Sequence, residues 1–183
     1  MDPTYWKTEL SPVADRIEEF AASGLFTERR ANEFEREVML GIFSVRRLIE
    51  HQTLSQELLG QQVRVQAYPK KTKEPTTWLN NHKIRELFDL DAPRPKTLPL
   101  LLFCNQIIHS YILLPLRDSH GFGHVLFCSD YQRNEFLYLV RVAQLIELIR
   151  RVAFDFPART HLQFNPTRED YDITNYASAE PPG

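Results

Sequence analysis

The stretch Cys104-Asn105-Gln106-Ile107-Ile108-His109-Ser110 sets a carboxamide and an imidazole four residues apart, at the end of an apolar run. On a helix that spacing puts Asn105 and His109 on one face. Imidazole titrates near neutrality, so His109 is the candidate for moving a proton, with Asn105 as its polar companion. The structural alternative is that both bond the orphan carbonyls of a helix end and fix the entry to the next strand. Lys70, Lys71 and Lys73 belong to segment 61–99, which holds eight Lys and Arg against four Asp and Glu. They are the candidates for binding an anion or a nucleic acid. No metal site is assigned. His120 and His124, flanking Gly121-Phe122-Gly123 near Asp118 and Asp130, have the spacing that most invites one, and loop-tip histidines bonding their own turn are the plainer reading.

The segment from Cys104 to His109 resembles the signature of the HEPN ribonuclease superfamily, in which an Arg, often followed by a polar residue, shortly precedes a His. Asn105 matches the polar position and His109 the His, while Cys104 stands where the family has its Arg. The resemblance implies a helical fold and RNA cleavage without metal, often across a dimer interface. In that chemistry the His shuttles a 2′-hydroxyl proton and a guanidinium stabilises the charged phosphorane. A Cys cannot take the second role. Arg46, Arg47 and Arg94 are the candidates to supply a guanidinium from elsewhere in the chain.

Other chemistries lack their motifs. There is no Gly-x-x-x-x-Gly-Lys-Ser/Thr or Gly-x-Gly-x-x-Gly phosphate loop, no Gly-x-Ser-x-Gly elbow and no Cys-x-x-Cys pair. No cofactor is expected. Cys104 and Cys128 lie in apolar company and read as buried free thiols. No apolar run approaches the roughly 18 residues of a membrane span, and the N-terminus lacks a basic-then-apolar signal, so a cytoplasmic protein is expected. With 183 residues and 43% hydrophobic composition, the chain can bury a sizeable core without disulfides.

The elements that must position these groups follow from periodicity. Ser11-Pro12 is a helix start, with Val13, Ile17 and Phe20 on one face and Gly24 as the stop. A second helix from Thr27 carries Phe34, Val38, Ile42, Val45 and Ile49 at helical spacing, giving an N-terminal helical hairpin. Gln62–Tyr68 alternates as a strand, Asn80–Leu90 reads as a short helix, and the proline-bearing 91–99 reads as a stiff linker. Leu100–Ser110 is assigned to a helix. Tyr111–Arg117 and His124–Asp130 form strands around a glycine turn. A long, nearly all-apolar helix from Tyr131 to Ala153 is expected to be the buried spine. The fold class is α+β with a small antiparallel sheet of about three strands: a single domain over 1–156, then a polar tail, 157–183, that is partly disordered or ordered on a partner.

No complete catalytic set is assembled by these readings. They favour a non-catalytic interaction module with an unknown protein partner or self-association. The alternatives are a metal-independent ribonuclease using His109, and a polyanion or small-molecule sensor using the basic 61–99 segment.

Overall fold

The computed structural model describes residues 2–24, 27–119 and 121–177. The chain begins with α1 (Pro3–Ala22) and α2 (Glu28–Glu50), followed by a short α3 (Gln56–Leu59). Strand β1 (Gln62–Pro69) leads through the short α4 (Ile84–Leu87) to β2 (Arg94–Pro99) and α5 (Leu100–Ile108). Strands β3 (Ser110–Arg117), β4 (Phe122–Ser129) and β5 (Phe136–Arg141) precede α6 (Val142–Ala153), and the chain closes on β6 (Arg159–Asn165) and β7 (Asp170–Tyr176). The fold is α+β, with a five-stranded antiparallel sheet in the order β2-β1-β5-β4-β3 and a separate β6–β7 pair. Among the described residues, no helix is long and apolar enough to cross a membrane.

Five strands stand where about three were expected, and both additions have a physical cause. Residues 94–99 pair with β1 as an edge strand, with Pro95 opposite Gln66 and Pro99 opposite Gln62. An edge has one free side, so a proline that lacks an N–H is tolerated there. Residues 136–141 form β5 rather than the start of a long helix. Leu137 points to one side of the sheet and Tyr138 and Val140 to the other, and all three are buried. A strand covered on both faces is a continuous apolar run, which periodicity cannot separate from a buried helix.

The expected C-terminal spine is therefore the shorter α6, and it is not C-terminal. Its Leu145, Leu148, Ile149 and Val152 are buried in one core with Phe34, Val38, Ile42 and Val45 of α2 and Leu10, Ala14 and Ile17 of α1. Helix α1 packs on both α2 and α6, so the first two helices belong to a helical layer rather than to a free-standing hairpin. Gly41 permits the closest approach, because a Cβ there would meet Ile149 Cδ1 at 2.8 Å. Helix α1 starts at Pro3, where Asp2 accepts from the Thr4 amide at 2.9 Å, and Pro12 falls inside it. The earlier of two cap-plus-proline signals wins, at the cost of one main-chain hydrogen bond.

The polar tail is also corrected, since residues 159–176 form a β-hairpin; 178–183 lie outside the described residues. Asn165 turns it by accepting from the Thr167 and Arg168 amides at 3.0 and 3.3 Å. Asn175 Nδ2 anchors it, donating to the Gln52 and Leu54 carbonyls at 2.7 and 3.3 Å. The alternating pattern Thr160, Leu162, Phe164 was hidden by the surrounding polarity.

One buried charge sits between the helices. Glu37, whose side chain is 3% exposed, accepts from Arg16 at 2.8 Å and from Arg36 at 2.9 Å. Burial works against its carboxylate, but the two guanidinium hydrogen bonds outweigh that and hold its pKa below the ordinary range. A depressed carboxyl stabilises the fold above the unfolded-state pKa and loses that contribution as pH falls through the folded-state value. Glu37→Gln is expected to lose about 2 kcal/mol at pH 7. Urea melts should show the gap to the parent closing as the solution is acidified below about pH 4. A gap that widens with acid would contradict this assignment.

Candidate functional site

Helix α5 brings the Cys104–His109 stretch into place. It leaves the edge strand β2 at Pro99 and buries Phe103, Cys104, Gln106 and Ile107 against the sheet. Gln106 ties it down, accepting from the Ser129 amide at 3.1 Å. His109 ends the helix: its amide donates to the Asn105 carbonyl and its own carbonyl accepts from Asp130, each at 3.1 Å. Its main chain is thus fixed on both sides, while its side chain is exposed. Cys104 faces inward; burial pushes its thiol up to about 12, with Arg46 pulling the other way, so it remains a protonated thiol.

The guanidinium comes from α2. Arg46 Nη1 lies 3.1 Å from His109 Nε2, across 63 positions of sequence, and Arg46 Nη2 bonds Glu50 Oε1 at 2.9 Å. Arginine carries no acceptor, so in this contact Arg46 Nη1 is the donor and His109 Nε2 the acceptor. Arg46 is 26% exposed at its side chain. Arg47, the neighbouring candidate, leans on Glu50 at 3.9 Å, and Arg94 lies exposed on the edge strand β2.

A cavity of about 430 Å³ opens beside the imidazole. Leu102, Asn105, His109, Ser129, Asp130 and Tyr131 line it. Asn105 Oδ1 and Arg46 Nε are buried without a hydrogen-bond partner, as are Arg30 Nε, Gln61 Oε1 and Arg159 Nε elsewhere among the described residues.

The remaining candidates are dispersed. Lys70 is used inside the protein: its ammonium donates to Thr76 Oγ1 at 2.7 Å and lies 5.0 Å from the centre of the Phe88 ring. Burial, opposed by Glu74, lowers its pKa. Lys71 and Lys73 are exposed, so the three lysines do not form one binding surface. His124 is half-buried on β4, directly across from Arg141, a cationic setting unsuited to a metal ion. His120 lies outside the described residues. Among those residues, no group of three or more His, Cys, Asp and Glu could hold a metal.

Sequence reasoning had the imidazole and the carboxamide but could only nominate the arginine. The available signal was small: Arg46 sits on the α2 helix next to the buried Val45, so its backbone is close to the core while its head is polar. Compared with known protein families, with curated proteins and with solved structures, the chain matches none.

Proposed function

We propose that the chain is a ribonuclease that cleaves RNA by internal transesterification at His109 and Arg46. The observation that carries this reading is the 3.1 Å contact between Arg46 Nη1 and Nε2 of the exposed His109, which lines a cavity with Asn105. Neutral His109 takes the proton of a ribose 2′-hydroxyl, and the freed 2′-oxygen attacks the adjacent phosphorus. The bond from phosphorus to the 5′-oxygen breaks, leaving a 2′,3′-cyclic phosphate and a 5′-hydroxyl whose proton comes from solvent. Negative charge gathers on the non-bridging oxygens during this step, and Arg46 is placed to meet it. In the free protein Arg46 occupies the Nε2 lone pair. An incoming phosphate competes for the same guanidinium and so releases the base. The guanidinium fills the charge-stabilising role, so this scheme requires no metal ion.

The test is incubation of the purified chain with end-labelled single-stranded and hairpin RNA in the presence of a chelator. Expected are fragments ending in 2′,3′-cyclic phosphate, no cleavage of an all-deoxy strand, and loss of about 10²–10⁴ in rate for His109→Ala. Intact RNA with the parent chain, or equal cleavage by His109→Ala, would overturn the assignment.

A second reading, a non-catalytic interaction module, draws on a different feature. Leu162, Phe164 and Tyr171 lie on one face of the β6–β7 hairpin and are each more than half exposed. Phe164 and Tyr171 pack ring against ring at 5.4 Å. Exposed aromatic clusters of this kind anchor protein interfaces. Concentration-dependent self-association without RNA cleavage is the signature of this alternative.

A further inference from the structure

A cavity larger than the one beside His109 lies elsewhere, on the sheet face turned away from the helical layer. Only half of that face is covered. The connector holding α4 lays Leu87 and Phe88 over Ile112, Leu126, Cys128 and Leu137. Beyond Leu139 nothing among the described residues covers it, and a concavity of about 600 Å³ remains, within the usual size range of a small-molecule site.

Its floor is an unbalanced row of charge. Cross-strand pairing places Thr97 beside Arg64, and His124 beside Arg141. The β1–β5 pairing ends at Gln66 and Leu139, two residues short of Arg64 and Arg141, and both arginines line the cavity beyond that end. No carboxylate lines the cavity, and among the described residues neither Arg64 nor Arg141 makes an ion pair. Lys96 stands at the rim, paired with Val65 and with its ammonium turned to the helical side over the Phe136 ring at 3.4 Å, so it adds no charge to this floor.

The polar remainder is organised for contact. Gln144 Nε2 donates to the Arg64 carbonyl at 3.3 Å, and Gln144 Oε1 accepts from Arg141 Nε at 3.5 Å. The Nη groups of both arginines stay available, and Arg presents them as a fork that matches phosphate oxygens. Leu139 and Pro95 supply an apolar wall, and Gln66 a carboxamide, beside the charged row. The chain as a whole carries a formal charge of -2, so this positive concavity is local and would select its ligand rather than attract polyanions generally.

We infer that this concavity binds a nucleoside phosphate, with its phosphates on Arg64 and Arg141 and its base against Leu139 between the Gln66 and Gln144 amides. The site is separate from His109 and does not rest on the ribonuclease reading. Titration calorimetry of the full chain with ATP, inorganic triphosphate and a single-stranded RNA oligomer provides the test. Saturable ATP binding is expected, tighter than that of inorganic triphosphate and weakening as salt is raised. Arg64→Glu and Arg141→Glu should each reduce affinity at least about tenfold, while His109→Ala leaves it unchanged. Both arginines are exposed, so circular dichroism should confirm that the variants fold. No saturable ATP binding up to about 1 mM, variants that bind as the parent does, or tighter binding of the RNA oligomer would overturn the inference.

Discussion

Arg46→Lys is expected to fold as the parent does and to cleave RNA about 10²–10³-fold more slowly, the loss typical of removing one charge-stabilising donor. The substitution keeps the positive charge and most of the aliphatic stem. It removes the planar fork that reaches Glu50 with one nitrogen and His109 with another. A lysine can satisfy one of these partners at a time, and Glu50 is the charged one. The substituted ammonium should therefore go to the carboxylate and leave the phosphate unserved. Stability should change little, because a part-exposed ion pair contributes about 0–1 kcal/mol. Comparing single-turnover rates and melting temperatures separates the two effects. A Lys variant as active as the parent would show that a point charge suffices and that the fork is incidental. Comparable losses in Arg46→Lys, His109→Ala and the double variant would show the two groups acting as a unit.

Gly121→Ala is expected to destabilise the chain by about 3–5 kcal/mol, lowering the melting temperature by roughly 10 °C for a protein of this size. Gly121 has φ +146°, and a Cβ built on it would lie 1.9 Å from the Ala21 carbonyl oxygen and 3.0 Å from that of Ser23. Those atoms are main chain at the end of α1, so no side chain can swing aside to relieve the overlap. Relief requires pulling the β3–β4 turn off the helix end. That shift would disturb Phe122, which stacks on Phe34 of α2 at 4.7 Å. Gly24→Ala is the matched control: nothing stands within 4 Å of its Cβ, and the change should stay within about 0.5 kcal/mol. Equal melting of the two variants would show that the turn is free to move.

What the sequence made legible was what depends on local pattern. The alternation of 62–68 and the Thr27 start of α2 both appear in the structure, the latter with Thr27 Oγ1 accepting from the Arg30 amide at 3.2 Å. The α5 helix and the inward-facing thiols did too. What stayed hidden depends on partners far along the chain. Residues 94–99 are a strand only because β1 lies beside them, and 136–141 only because β1 and β4 flank them. The same holds for the candidate site. Asn105 and His109 share a local spacing, but Arg46 reaches His109 only because α2 packs against α5. The row of Arg64, Arg141 and His124 joins three strands and leaves no trace in any one segment.

The prolines at the two margins of the large sheet have a further meaning. Pro95 and Pro99 on β2, and Pro115 on β3, each withhold an amide from the rims where another chain would dock by strand addition. Prolines at these positions blunt both edges against strand addition. Along these two edges another chain is better met through side chains than by lengthening the ladder.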